Sequence, residues 1–244
     1  MGKSIKKTAI KDNREDRIFS IISYVFLGSL LIIVAYPLYF VLISSVSDPY
    51  MVLNGDVWLL PRGFNVEAYV RILADKEIWS GYGNTIMYTV VGTLINVTLT
   101  MLIAYPLSRK YFSGRKVIMT ILIITMYFSG GMIPSYLLVS SLGMRDTFLV
   151  MVILGAISVY NVIIARTFLE SNISEELENA ASIDGCSQFR FFLSIVVPLS
   201  KAVIAVLVLY YAVAHWNDYM RSLIYLDSAD KYPLQLVIRS ILIQ

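Results

Sequence analysis

The sequence predicts an all-α integral membrane protein. Apolar residues make up 57% of the 244 residues and charged residues only 15%, and the mean hydropathy is +0.70. That balance lies outside the range of soluble domains. The apolar residues also gather into runs long enough to cross a bilayer, separated by polar stretches whose Lys and Arg are unevenly placed. The net charge of +3 therefore matters less than its distribution. One cysteine, Cys186, excludes an internal disulfide, and one histidine, His215, leaves no cluster for a metal site. No Gly-x-x-x-x-Gly-Lys-Ser/Thr loop is present, so the chain does not bind ATP by that device.

Residues 1–17 form a basic tail with Lys3, Lys6, Lys7, Lys11, Arg14 and Arg17, which the positive-inside rule places in the cytoplasm. Residues 18–46 follow as the first span. They are too long for a signal-peptide core and reach roughly 43 Å as a helix, so part must tilt or emerge. Residues 47–83 are mixed and polar and read as an extracellular loop. Trp58 and Trp79 suit a membrane boundary, Pro61 and Gly63 break the segment, and Val66 to Trp79 has helical character. The core occupies residues 84–244. Its first span, from Ile86 to Tyr105, ends at Pro106 before a tight basic loop with Arg109, Lys110, Arg115 and Lys116.

A further span, Val117 to Tyr127, meets a break at Ser129-Gly130-Gly131-Met132-Ile133-Pro134. Backbone freed at membrane depth is tolerated only against protein or a watery cavity. The break is either a kink at the span end or part of the lining of a path. Gly143 to Asp146 links to a fourth span, Thr147 to Phe168, and Ala202 to His215 forms a fifth. A polar outer segment carries Asp227, Asp230, Lys231 and Pro233. Leu234 to Gln244 is too short to cross a bilayer. Five spans with an inside N-terminus leave the C-terminus outside.

The polar stretch 171–198, inside by this count, carries its own helix signals. Ser174 can cap a helix whose first turns hold Glu175, Glu176 and Glu178, and Gly185 can end it. Ile173, Leu177, Ala180 and Ala181 share one side. Ser187 can open a second helix with Phe189, Phe192, Ile195 and Val196 at helical spacing. Pattern alone leaves two readings: an amphipathic connector on the lipid surface, or a docking knob whose alanines let another protein approach closely.

The same stretch resembles the loop shared by membrane subunits of ATP-binding-cassette (ABC) importers, Glu-Ala-Ala, three residues, Gly, nine residues, Ile-x-Leu-Pro. Ala180, Ala181, Gly185, Ile195 and Pro198 fall in register, while Asn179 stands for the Glu, Val197 for the Leu and Ser174 for a frequent Pro. Trp216-Asn217-Asp218-Tyr219, Asn84-Thr85 and Ala104-Tyr105 are similar to motifs of the sugar-importing branch. Phe128 to Leu137 is similar to a segment of the branch that takes up oligosaccharides cut from polysaccharides. The likeness runs from Ile18 to Gln244.

The resemblance implies the type I ABC importer permease fold with five of its usual six transmembrane helices. The C-terminal helix is absent, as in a fragment or a truncated product. It also implies a multi-pass plasma-membrane subunit that performs no catalysis and holds no cofactor or metal. Its implied partners are an ABC ATPase dimer, a second homologous permease subunit, an extracellular sugar-binding protein and membrane lipid, with no role for nucleic acid. Glu178, Asn179, Ala180, Ala181, Asp184 and Gly185 become the candidates for coupling to the ATPase. Trp216, Asn217, Tyr127, Gly130 and Gly131 become candidates for the substrate path. Two other readings follow from the residues. A truncated, non-transporting scaffold would recruit a soluble partner through the loop. A secondary transporter would want charged groups inside its spans, and none lies within Ile86–Tyr105, Val117–Phe128 or Ala202–Tyr211.

Overall fold

The computed structural model describes residues 14–243. They fall into two compact units that divide between Ala74 and Asp75. In the first, helix α1 (Arg14–Ser45) runs for 32 residues, and Pro37 lies within it. Its apolar side chains point outward nearly everywhere, and Ile43 alone among its described residues is buried. The chain then folds back on the end of α1. Ser47 Oγ donates to the Ile43 carbonyl (2.6 Å), Asp48 caps the short α2 (Pro49–Leu53), and Asn65 N donates to the Val46 carbonyl (2.9 Å). Helix α3 (Glu67–Ala74) is joined to this end by a 2.7 Å bond between Tyr69 and Ser45.

The second unit is built around α4 (Lys76–Ser108), 33 residues long. It begins ten residues before the expected Ile86, because Asp75 accepts from Glu77 N (2.8 Å) and caps it there. Residues 76–83, expected in the loop, are therefore helical. The helical character expected over Val66 to Trp79 belongs to two helices that part at Asp75. Nor does Pro106 end the span, since α4 continues to Ser108.

Around α4 pack α5 (Arg115–Tyr127), α7 (Phe148–Ile153), α8 (Val159–Asn172), α12 (Lys201–Trp216) and α14 (Leu234–Ile243). Between these lie α6 (Met132–Ser141), α9 (Glu175–Ile183), α10 (Gln188–Phe191), a π-helical turn (Phe192–Val196), α11 (Val197–Leu199), α13 (Tyr219–Tyr225) and a 3₁₀ turn (Ala229–Lys231). The Gly130-Gly131 break bends α5 against α6 by 111°, with Gly131 at φ +84°. The helical run Gln188–Leu199 meets α12 at 81°.

The fourth expected span is not continuous. Leu154 to Ser158 interrupts it, Gly155 takes φ +77°, and α7 and α8 result. Among the described residues, α1 and α4 are long and apolar enough to cross a membrane alone. The two bent pairs raise the number to four.

The contact of α4 with α12 is close and polar. Gly92 leaves room for His215, whose ring a Cβ placed there would meet. His215 Nε2 also lies 2.9 Å from Asn96 Nδ2, and Thr100 Oγ1 lies 2.7 Å from the Tyr211 hydroxyl. Small residues bring such helices together, and paired polar groups hold them where no water competes. At the other end Gly81 lets the backbone of Leu234 approach, and Thr85 Oγ1 accepts from Leu234 N (2.8 Å).

Candidate functional site

The candidate site is the elbow formed by α9, α10 and the C-terminal end of α4. Ser174 has extended backbone (φ −68°, ψ 149°), and its Oγ accepts from Leu177 N, so the expected cap starts α9 where the sequence placed it. Glu175, Glu176 and Glu178 occupy the first turns, where the helix dipole favours them. The helix closes with Asp184 N on the Ala180 carbonyl and Cys186 N on the Ala181 carbonyl. Gly185 sits at φ +74°, a conformation that strains any residue with a Cβ. Ser187 then caps α10 as expected.

Of the nine residues of α9, Glu178 is the only one buried. Asn179, Ala180, Ser182, Asp184 and Gly185 are exposed, Ala181 is half-buried, and Ile183 is 86% exposed. The expected apolar side is thus split. Ile173 and Ala181 turn to the core, while Leu177 and Ala180 face outward. In the second helix the core residues are Phe191, Phe192 and Val196, whereas Phe189, expected at helical spacing with Phe192, Ile195 and Val196, is 66% exposed.

Glu178, a coupling candidate, is buried and bonded within the chain rather than exposed beside Asn179. Its carboxylate is enclosed by three residues of the same chain. Arg109 Nη1 approaches Oε2 (3.4 Å), Tyr111 donates to Oε1 (2.7 Å), and the Tyr105 hydroxyl lies 3.2 Å from Oε1. Tyr105 also lies 2.9 Å from Gln188 Oε1, which ties in α10. Arg109 is 2% exposed. It donates to the Ile173 (3.1 Å) and Leu169 (3.2 Å) carbonyls at the end of α8, and to Ser108 Oγ (3.0 Å). The Leu169 carbonyl also accepts from Ile173 N (3.1 Å), so Arg109 shares that acceptor with the last backbone bond of α8. Its guanidinium also lies over the Tyr105 ring, 5.3 Å from the centroid. Burial, then the bond to Glu178, pushes the Tyr111 phenol up to about 12. An open cleft of about 580 Å³ beside this cluster is lined by Lys110, Tyr111, Glu175, Glu178, Asn179, Ser182 and Gln188.

Arg109, Tyr105, Tyr111 and Gln188 were not among the candidates. Arg109 read as one of four basic residues in a surface loop. The available signal was its spacing: Tyr105 and Arg109 lie one helical turn apart, and the helix continues past Pro106 nearly to Arg109.

The path candidates lie on two different elements. Tyr127, Gly130 and Gly131 are exposed at the α5–α6 bend, whereas Trp216 and Asn217 end α12. Asn217 Nδ2 donates to the Val213 carbonyl (2.8 Å) and so serves the helix end. Trp216, 37% exposed, borders a shallow cleft of about 240 Å³ with Thr89 and Val213. Val213 also borders a second cleft, of about 500 Å³, which Tyr160, Asn161 and Tyr210 line.

A second polar cluster binds the α6–α7 turn to the segment after α13. Asp146, at φ +53°, accepts from Asp227 N, Ser228 N and Ser228 Oγ, and Lys231 Nζ lies 2.8 Å from its Oδ2. These bonds hold its carboxyl well below the usual carboxylate range and raise Lys231. Arg145 pairs with Asp227 at 2.7 Å.

Broken and bent apolar helices gather on one long span, with a helical elbow beside its end, the architecture of a multi-span membrane protein. The chain belongs to the family described as binding-protein-dependent transport system inner membrane component, whose pattern matches residues 96–233. It is 36% identical over 232 residues to protein LplC of Bacillus subtilis, covering 95% of this chain and 78% of that protein. It is 37% identical over 229 residues to the polygalacturonan/rhamnogalacturonan transport system permease protein YtcP of the same organism, covering 94% and 80%. The crystal structure of a bacterial ABC transporter involved in the import of the acidic polysaccharide alginate contains a similar chain. The TM-score is 0.90 at 35% identity, covering 95% of this chain and 82% of that one. The fold is accordingly that of an ABC importer permease, and the protein is a membrane subunit of such an importer.

Proposed function

We propose that this subunit forms half of the translocation path for an oligosaccharide released from a polysaccharide, opposite a second homologous permease subunit. An ABC ATPase dimer drives it, and an extracellular sugar-binding protein supplies it. The observation that carries the reading is α9, a capped helix in register with the family loop, whose flank is exposed at Asn179, Ala180, Ser182, Ile183 and Asp184. That surface is the ATPase dock. Close approach at Ala180, a hydrophobic contact at Ile183 and acceptors at Asn179 and Asp184 suit a cleft with apolar walls and a basic rim. The dock faces the cytoplasm, and the basic N-terminal tail lies on the same side of the plasma membrane. The substrate class follows from the names of two relatives, a polygalacturonan/rhamnogalacturonan permease and an alginate importer. Trp216 and Asn217 are retained as path candidates on the α12 side, and Tyr127, Gly130 and Gly131 at the α5–α6 bend.

The test is gentle detergent extraction of the tagged chain from its native host. An ABC ATPase and a second permease subunit should co-purify. Ala180→Arg should lose the ATPase and keep the permease. Ala180 is exposed, so this change leaves the interior intact, whereas Gly185→Asp would add backbone strain. Extraction with no nucleotide-hydrolysing companion, or labelling of Ser182→Cys from outside intact cells, would overturn the proposal.

A further inference from the structure

We infer that Arg109 is a positioning residue, the joint that makes α9 move as one body with the ends of α4 and α8. The inference rests on the ATPase docking at α9 proposed above. A helix that takes up force from a partner must hand it to the spans, and α9 has few means of doing so. Eight of its nine residues are exposed or only half-buried, and the buried one is a carboxylate. An amphipathic helix usually grips its support with an apolar stripe. Here Leu177 and Ala180 point away, and Ala181 is the main apolar footing within the helix.

Arg109 fills that gap. One guanidinium meets Glu178 of α9 and the two carbonyls at the end of α8, from a position immediately after the last residue of α4. Its planar donors have fixed directions, so one group sets the relative placement of three elements, which a lysine's rotating ammonium does not. Tyr105 and Tyr111 close over the same carboxylate, and Gln188 extends the cluster to α10. Arg109 and Glu178 keep only 2% and 7% of their side-chain surface in contact with solvent, so water is a poor substitute for either partner and the pair holds or opens together. That two-state behaviour lets a push on α9 reach the spans without slipping.

The experiment uses the assembled transporter, co-purified with its ATPase and second permease. Spin labels sit at Glu176→Cys on α9 and Leu94→Cys on α4, in a Cys186→Ser background. Distances are read without nucleotide and with bound ATP. With Arg109 intact, the distribution should stay narrow and unmoved in both states. In Arg109→Met it should broaden measurably, because the buried pair that fixes α9 is gone, while ATP hydrolysis by the partner persists. Arg109→Lys should restore the centre of the distribution and only part of its narrowness. A distribution in Arg109→Met as narrow as with Arg109, in both states, overturns the inference. If Arg109→Met does not assemble, Glu178→Gln takes its place. It keeps the shape and removes the charge, and an unbroadened distribution there overturns the inference equally. Failure of both variants to assemble assigns the cluster to folding alone and also overturns it. Failure of the unaltered chain to bring down an ATPase would instead remove the docking proposal itself.

Discussion

At the C-terminal end of α4, Arg109 and Glu178 are almost fully enclosed, with side chains 2% and 7% accessible. Toward its N-terminal end, where Tyr88 and Asn84 bond the carbonyls of Lys231 and Asp230, the pair Asp146–Lys231 keeps 24% and 36% of its side-chain surface in contact with solvent. Both clusters fasten loops beside the same helix, yet the first makes charge serve as a core and the second makes it serve as a clasp. Among enclosed charges, each partner exists only because the others are present, and removing one strands the rest. In the half-exposed cluster water can replace a lost partner, and much of the fastening comes from backbone N–H groups that point at Asp146.

The sharpest way to break the comparison is Glu178→Ala. It leaves the Arg109 guanidinium enclosed with no counter-charge, and we expect a loss of ~3–5 kcal/mol, read as thermal or denaturant unfolding in detergent. Adding Arg109→Met should cost less than the sum of the two single changes, because the residues act as a unit. Additive losses would show that the cluster is not one. Asp146→Asn should cost about 1–2 kcal/mol, since Asn tolerates the left-handed backbone and keeps some of the acceptor bonds while losing the Lys231 pair. The readout is faster amide exchange confined to residues 225–231. A loss as large as that of Glu178→Ala would erase the distinction.

The two ends should also fail at opposite extremes of pH. Asp146 has a folded pKa held below its unfolded value of ~3.9. Its contribution is therefore complete above that value and disappears as pH falls through the lower, folded one. Tyr111 is raised from ~10 to about 12. Its contribution is complete below ~10 and disappears as pH rises through about 12. Between pH 5 and 9 neither group should change the stability. Pulsed amide exchange should show residues 225–231 loosening first in acid and residues 175–188 first in alkali. The reverse order would contradict both assignments.

Local signals were legible in the sequence; cross-chain ones were not. Ser174, Ser187 and Gly185 marked the elbow because a cap or a stop acts on the residues beside it. The Gly130-Gly131 break was visible for the same reason. The basic loop after α4 misled, because hydropathy counts Arg109 and Lys110 alike while only the fold turns one of them inward. Glu178 was assigned to a partner for the matching reason, since a carboxylate on a polar helix gives no hint that two tyrosines of another segment will cover it. The interruption at Leu154 to Ser158 was hidden by continuous apolar composition. A span of uniform hydropathy conceals a break unless Pro marks it, and here Gly155 alone carried the signal.

The smallest expected effect sharpens the comparison most economically. Lys110 follows Arg109 directly, carries the same charge, and pairs with Glu175 of the same helix α9 at 3.2 Å. Its side chain is 69% exposed and that of Glu175 is 51% exposed. An exposed pair gains little Coulomb energy in water and gives up side-chain freedom, so Lys110→Gln should change stability by no more than ~0.5 kcal/mol. Sequence position, charge and target helix are then nearly constant between the two residues, and enclosure is what differs. A cost for Lys110→Gln near that of Glu178→Ala would mean that net charge at the elbow, rather than burial, holds α9 in place. A cost near zero would leave the arrangement around Arg109 as what fastens it.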